Sequence, residues 1–84
     1  MKRSYITFRS VTFAQKAERI LKRAGMDCTM LRTPKELSQR GCGYCLGVVP
    51  GQVVQAAQLL AAERVDYGKL YAVNADGGYE EIRI

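Results

Sequence analysis

SYITFRSVTFAQKAERILKRAG, residues 4–25, changes its hydrophobic period once, at Ser10. Before that serine, Ile6 and Phe8 alternate with Tyr5 and Thr7, the two-residue period of a strand over Ser4 to Arg9. After it, Ala14, Ala17, Leu21 and Ala24 recur every three or four residues. That spacing predicts a helix over Val11 to Ala24 with one apolar stripe. Lys16, Arg19, Lys22 and Arg23 fall on its other faces. Ser10 suits the helix N-cap, and Gly25 suits the residue just past the C-terminus. A strand that runs straight into a helix sets a mixed α and β fold.

The same grammar continues outward. Asp27 to Arg32 reads as a second strand, with Cys28 and Met30 on one face and Thr29 and Leu31 on the other. Thr33-Pro34 ends it, and Pro34 to Gln39 suits one short helical turn. Tyr44 to Val49 is a more apolar strand, as expected at the centre of a sheet. Pro50-Gly51 turns the chain into a second helix, Gln52 to Arg64, whose stripe is Val53, Ala56, Ala57, Leu60 and Ala61. Tyr67 to Asn74 and Tyr79 to Ile84 are strands joined by the tight Asp76-Gly77-Gly78 connection. The order β-α-β-β-α-β plus one strand predicts an α+β fold: a ferredoxin-like sandwich with an added C-terminal strand, in a single domain 1–84. Right-handed crossovers fix the two β-α-β halves, and in the usual order of this fold the first and third strands are neighbours.

Composition narrows the chemistry. Among 84 residues there is no histidine, which excludes Ser-His and Cys-His catalysis and His-containing zinc sites. No apolar run approaches the roughly 20 residues that span a bilayer. The basic start is not followed by a signal-peptide core, so the expected location is cytoplasmic, with no membrane partner. The net charge of +5 is uneven. Residues 1–40 hold ten Lys/Arg and three Asp/Glu, a balance of +7; residues 41–84 hold three and five, a balance of −2. The basic half suits an acidic protein or an anion, or is simply a solvated helix face. Five tyrosines on strands invite comparison with RNA-binding sheets. No stretch matches the RNA-recognition signature, so nucleic acid is not the expected partner.

The segment Gly41-Cys42-Gly43-Tyr44-Cys45 is where chemistry is expected. The third cysteine is Cys28, and an odd count without an export signal argues against a disulfide scaffold. In the expected topology Cys42 stands beside Arg9, Ser10 and the start of the first helix. Helix N-terminal N–H groups and the guanidiniums of Arg9 and Arg40, with Lys35 nearby, would favour thiolate over thiol. The two glycines leave the sulfur open to a bulky partner. The pair Cys42 and Cys45 has three readings: a redox dithiol, half of a metal site, or a single reactive Cys42 with Cys45 packed in the strand. Alternation favours the last, because Cys45 and Gly47 then face away from the helices, where Cys45 either points outward or is covered by a partner.

Tyr5-Ile6-Thr7-Phe8-Arg9-Ser10, Ala14-x-x-Ala17-Glu18, Thr33-Pro34-Lys35-Glu36-Leu37-Ser38 and Cys42-Gly43 together resemble the selenium/sulfur carrier-like proteins. The resemblance spans roughly residues 4–73. It implies a carrier rather than a stand-alone enzyme, holding sulfur or selenium as a persulfide or perselenide on Cys42. From the residues themselves, Cys45 is the candidate second catalytic thiol, a departure from the family's pattern, Arg9, Ser10 and Arg40 are the candidate anion-stabilising groups, and neither a cofactor nor a bound metal is expected. The implied partners are a sulfur or selenium donor protein such as a cysteine desulfurase, and an acceptor carrier or enzyme. Two other readings stand beside it. One is a non-enzymatic regulatory or protein-binding module, which includes a homodimer through sheet edges or faces. The other is a dimer that shares a thiolate metal site built from Cys42 and Cys45.

Overall fold

The computed structural model describes residues 3–37 and 43–83. Its elements are β1 (Ser4–Thr7), α1 (Val11–Arg23), β2 (Cys28–Arg32), β3 (Tyr44–Val48), α2 (Val53–Ala62), β4 (Leu70–Val73) and β5 (Tyr79–Ile82). Short 3-10 turns cover Lys35–Leu37 and Pro50–Gln52. The result is a mixed α+β domain with two helices and a five-stranded antiparallel sheet, in the order β2-β3-β1-β4-β5. As expected, β3 lies between β1 and β2, and β5 returns against β4.

Both helices lie on one face of the sheet. Ala14, Ala17 and Leu21 of α1 and Val53, Ala56, Ala57 and Leu60 of α2 share one core with Ile6, Cys28, Leu46, Val48 and Leu70. The alanines let the helices sit close to the strands, and the larger aliphatic side chains supply most of the driving force, about 1.5–3 kcal/mol for each one fully buried. Two stripe positions depart from expectation. Ala24 is the exposed C-cap of α1 rather than part of its buried stripe, and Ala61 is exposed near the end of α2.

Strand and helix limits are tighter than the alternation alone predicts. Gln52 belongs to the 3-10 turn that leads into α2, and the helix ends at Ala62. The fourth strand begins at Leu70 rather than Tyr67 because of a bulge. Thr7 N donates to Lys69 O at 2.9 Å, but Thr7 O accepts from Gly68 N at 2.6 Å. Lys69 N donates instead to Thr7 Oγ1 at 2.9 Å. Two residues thus face one, and the regular ladder stops there. Gly68 is required by this close approach: a Cβ on it would lie 2.6 Å from Thr7 Oγ1.

The β4–β5 connection matches its sequence. Gly77 takes a φ of +90°. Asn74 N donates to Gly78 O, and the Asp76 carboxylate accepts from Gly78 N at 3.0 Å.

Candidate functional site

Strand register fixes which segments meet. Thr7 at the end of β1 lies opposite Cys45 near the start of β3. Arg32 at the end of β2 lies opposite Tyr44. Thr33 N donates to Gly43 O at 2.7 Å and closes the base of the β2–β3 connection. One end of the sheet therefore gathers the turn from β1 into α1, the exit of β2 and the entry of β3. Cys42 is bonded to Gly43 through the chain. Cys42 and Arg40 lie outside the described residues.

The turn into α1 has the local structure its sequence demands. Ser10 is extended (φ −146°, ψ 159°), and its hydroxyl oxygen accepts from Phe13 N at 3.3 Å. This is the N-cap arrangement, which leaves the hydroxyl proton free to donate elsewhere. Its carbonyl accepts from Ala14 N at 3.2 Å. No acidic residue occupies the first turn, so no carboxylate there offsets the positive end of the helix dipole. Arg9 is exposed just before it. Arg9 and Ser10 thus stand at the sheet end that their sequence position predicts.

A further cation at this end was not singled out by sequence reasoning. The Arg32 guanidinium carbon lies 5.6 Å from the centre of the Tyr44 ring. Its Nη1 is 3.6 Å from the point a Cβ on Gly43 would occupy. The signal was an Arg and a Tyr at the two mouths of one hairpin. It becomes legible only when the register that pairs them is known.

The remaining cysteines have different surroundings. Cys28 is buried in the core between sheet and helices, and its thiol donates to Glu18 O at 3.8 Å. Burial pushes this thiol upward, and the Glu18 carboxylate adds to the effect. Cys45 is also fully buried, yet it is no part of that core. The register puts it with Tyr5, Thr7 and Leu31 on the face away from the helices. The expectation that Cys45 faces away is met. Its burial comes from within this chain, so neither outward pointing nor a partner is needed to explain it. On the same face Tyr79 packs on Tyr5 at 6.0 Å between ring centres. Burial raises the Tyr79 hydroxyl, and Tyr5, Glu36 and Cys45 raise it further.

Among the described residues no group of three His, Cys, Asp or Glu is placed to hold a metal. None of the described helices is long and apolar enough to cross a membrane. The start of α1, which Arg9 directly precedes, and Arg32 at the exit of β2 lie at the same end of the sheet.

A family model described as "Putative Se/S carrier protein-like" matches residues 3–72, a span that ends within β4 and leaves β5 out. Neither a curated protein nor a solved structure matches the chain.

Proposed function

The chain belongs to the Se/S carrier protein-like family, and on that premise we propose that it carries one sulfur or selenium atom on Cys42 between proteins. The strand order β2-β3-β1-β4 supports a ferredoxin-like sandwich as its scaffold, with β5 added at the edge. The observation that carries the reading is that one end of the sheet carries an N-capped helix start preceded by Arg9, together with Arg32 and the Gly43 that follows Cys42. Positive charge there favours the anionic form of a thiol, and the thiolate is the attacking species.

The chemistry balances without a cofactor. The Cys42 thiolate attacks the outer sulfur of a donor persulfide. A new S–S bond forms, the donor's own S–S bond breaks, and the donor leaves as a thiolate. Thiolate and persulfide exchange roles with no net oxidation. An acceptor thiolate then takes the outer sulfur in the same way. Cys45 offers a second exit. Its thiolate would attack the Cys42 sulfur, release hydrosulfide and leave a Cys42–Cys45 disulfide that an external dithiol must reduce. Because Cys45 is fully buried, direct transfer to an acceptor is the simpler route. A cytoplasmic cysteine desulfurase is the fitting donor, since it presents a persulfide on a protein thiol.

The test is peptide mass spectrometry after incubation with a cysteine desulfurase and free cysteine. The expected result is the mass of one added sulfur on the Cys42 peptide, lost on reduction and absent in Cys42→Ser. Sulfur that never reaches Cys42 from any of several donors rejects the reading.

A further inference from the structure

We infer that the outward row of α1, Lys16, Arg19 and Arg23, is a docking surface for an acidic protein that presents carboxylates at helical spacing. Ala14, Ala17 and Leu21 bury one side of α1. At 3.6 residues per turn the three cations stand on the opposite side, in a line about 10 Å long. All three are exposed. Among the described residues none of them is in an ion pair: the pairs there involve Arg3, Lys22, Lys69 and Arg83. Glu18, the one carboxylate in α1, is taken by Lys22 at 3.5 Å.

A row of one sign costs the free helix stability. Lys16 with Arg19, and Arg19 with Arg23, are like charges three and four residues apart, the spacings at which side chains meet. The helix dipole accounts for basic residues in the last turn, where Lys22 and Arg23 stand. It does not account for Lys16 and Arg19, which lie farther back along the helix. A surface that is merely solvated intersperses the two signs. Here the exposed acids Glu63, Asp66, Asp76 and Glu80 follow α2 or belong to the β4–β5 hairpin, not to α1. Carboxylates on a partner would relieve the repulsion along the row, speed the encounter and set its orientation.

The surroundings of the row favour a protein over a nucleic acid or a membrane. Tyr71 lies opposite Tyr5 in the ladder, and Tyr79 packs on Tyr5, on the sheet face away from the helices. The strand tyrosines that could stack bases are therefore not beside the row. Val11 is the one exposed large apolar side chain of α1, too little to seat the helix in a bilayer.

The test is an NMR titration of the isotope-labelled chain with two probes at the same ionic strength. One is a synthetic helical peptide with glutamate at every third or fourth position; the other is an oligouridylate of equal charge. The wild type is compared with the triple variant Lys16→Gln, Arg19→Gln, Arg23→Gln. A control, Arg64→Gln, Lys69→Gln, Arg83→Gln, loses the same charge from exposed positions elsewhere. The peptide should move the amide signals around Lys16, Arg19 and Arg23. The row variant should bind it about tenfold more weakly, the worth of three exposed ion pairs, and the control should bind it nearly as the wild type does. Circular dichroism checks that both variants fold. Equal weakening in the two variants would mean that net charge alone is read, and signals that move mainly outside α1 would put the acidic partner elsewhere; either overturns the inference. Tighter binding of the oligouridylate than of the peptide also overturns it and makes nucleic acid the occupant. None of these readouts involves sulfur, so they decide the role of the row whether or not the chain carries it.

Discussion

Burial is the largest cause that pushes the Cys28 thiol above its ordinary value of 9.0; Glu18 and Asp27 push the same way, while Lys22 and Arg3 oppose them. The sign of the consequence follows from linkage. The folded state holds the Cys28 proton more tightly than the unfolded chain does. The stability this gives is complete below about pH 9 and is lost as pH rises through the folded value. Thermal melts from neutral to strongly alkaline pH should therefore fall off above pH 9, and Cys28→Ala should flatten that limb although its starting stability is lower. An alkaline limb of equal steepness in both chains would contradict this account. The same burial protects Cys28 and Cys45 from alkylation. Under native conditions Cys42 should label first, and in denaturant all three should label at similar rates. Native labelling of Cys45 as fast as Cys42 would mean that its cover opens freely and would revive the two-thiol release route.

Both helices end in the same hydrogen-bonded motif but with different residues in the left-handed position. At the end of α1, Gly25 takes a φ of +85°, with Gly25 N donating to Lys22 O and Met26 N to Leu21 O. At the end of α2, Arg64 takes a φ of +61°, with Arg64 N donating to Ala61 O and Val65 N to Leu60 O. These are Schellman caps, in which glycine is the residue without a Cβ penalty. Arg64→Gly should stabilise the domain by about 1 kcal/mol, seen as a higher urea midpoint at unchanged slope. The gain is partly offset by the greater freedom of glycine in the unfolded chain, so a drop in the midpoint would show that the Arg64 side chain makes contacts worth more than its strain. The two caps also show what could be read from sequence and what could not. Gly25 announced the end of α1, and Ser10 announced its start, because their chemistry is local. Arg64 gives no such signal, so the sequence pattern alone runs the second helix past its end at Ala62. The alternation alone starts the fourth strand at Tyr67, too early, because the bulge opposite Thr7 arises from a pairing sixty-two positions away in the chain. Arg32 is not legible in the sequence for the same reason: its neighbours Tyr44 and Gly43 are set by register. That the chain around Arg9 and Ser10 shares one end of the sheet with the start of β3 is legible, since it follows from strand order alone.

A domain of this size has roughly 0.05–0.15 kcal/mol of stability per residue, so one core truncation removes a large share of it. On the carrier reading, stability and chemistry nevertheless separate in space. The pole that carries Arg9, Arg32 and Gly43 is built from β1, β2, β3 and α1, while β5 is the far edge strand, beyond β4. Ile82 of β5 packs against the core opposite Leu70, and Tyr79 packs on Tyr5. Ile82→Ala should cost about 1–3 kcal/mol, at the lower part of the range for aliphatic truncations because Ile82 is only partly buried. Sulfur loading on Cys42 per folded molecule should stay at the wild-type level. Leu46→Ala in β3 should cost more, about 2–5 kcal/mol, since Leu46 is fully buried between sheet and helices. Leu46 lies two residues from Tyr44, so its loss should also disturb the Arg32–Tyr44 stack and slow loading in the folded fraction. Denaturant titration gives the first quantity and desulfurase-dependent loading at low temperature gives the second. If Ile82→Ala abolishes loading while the chain is still folded, the far edge of the sheet takes part in recognising the donor, and the proposed transfer site extends well beyond the sheet end that carries Arg9 and Arg32.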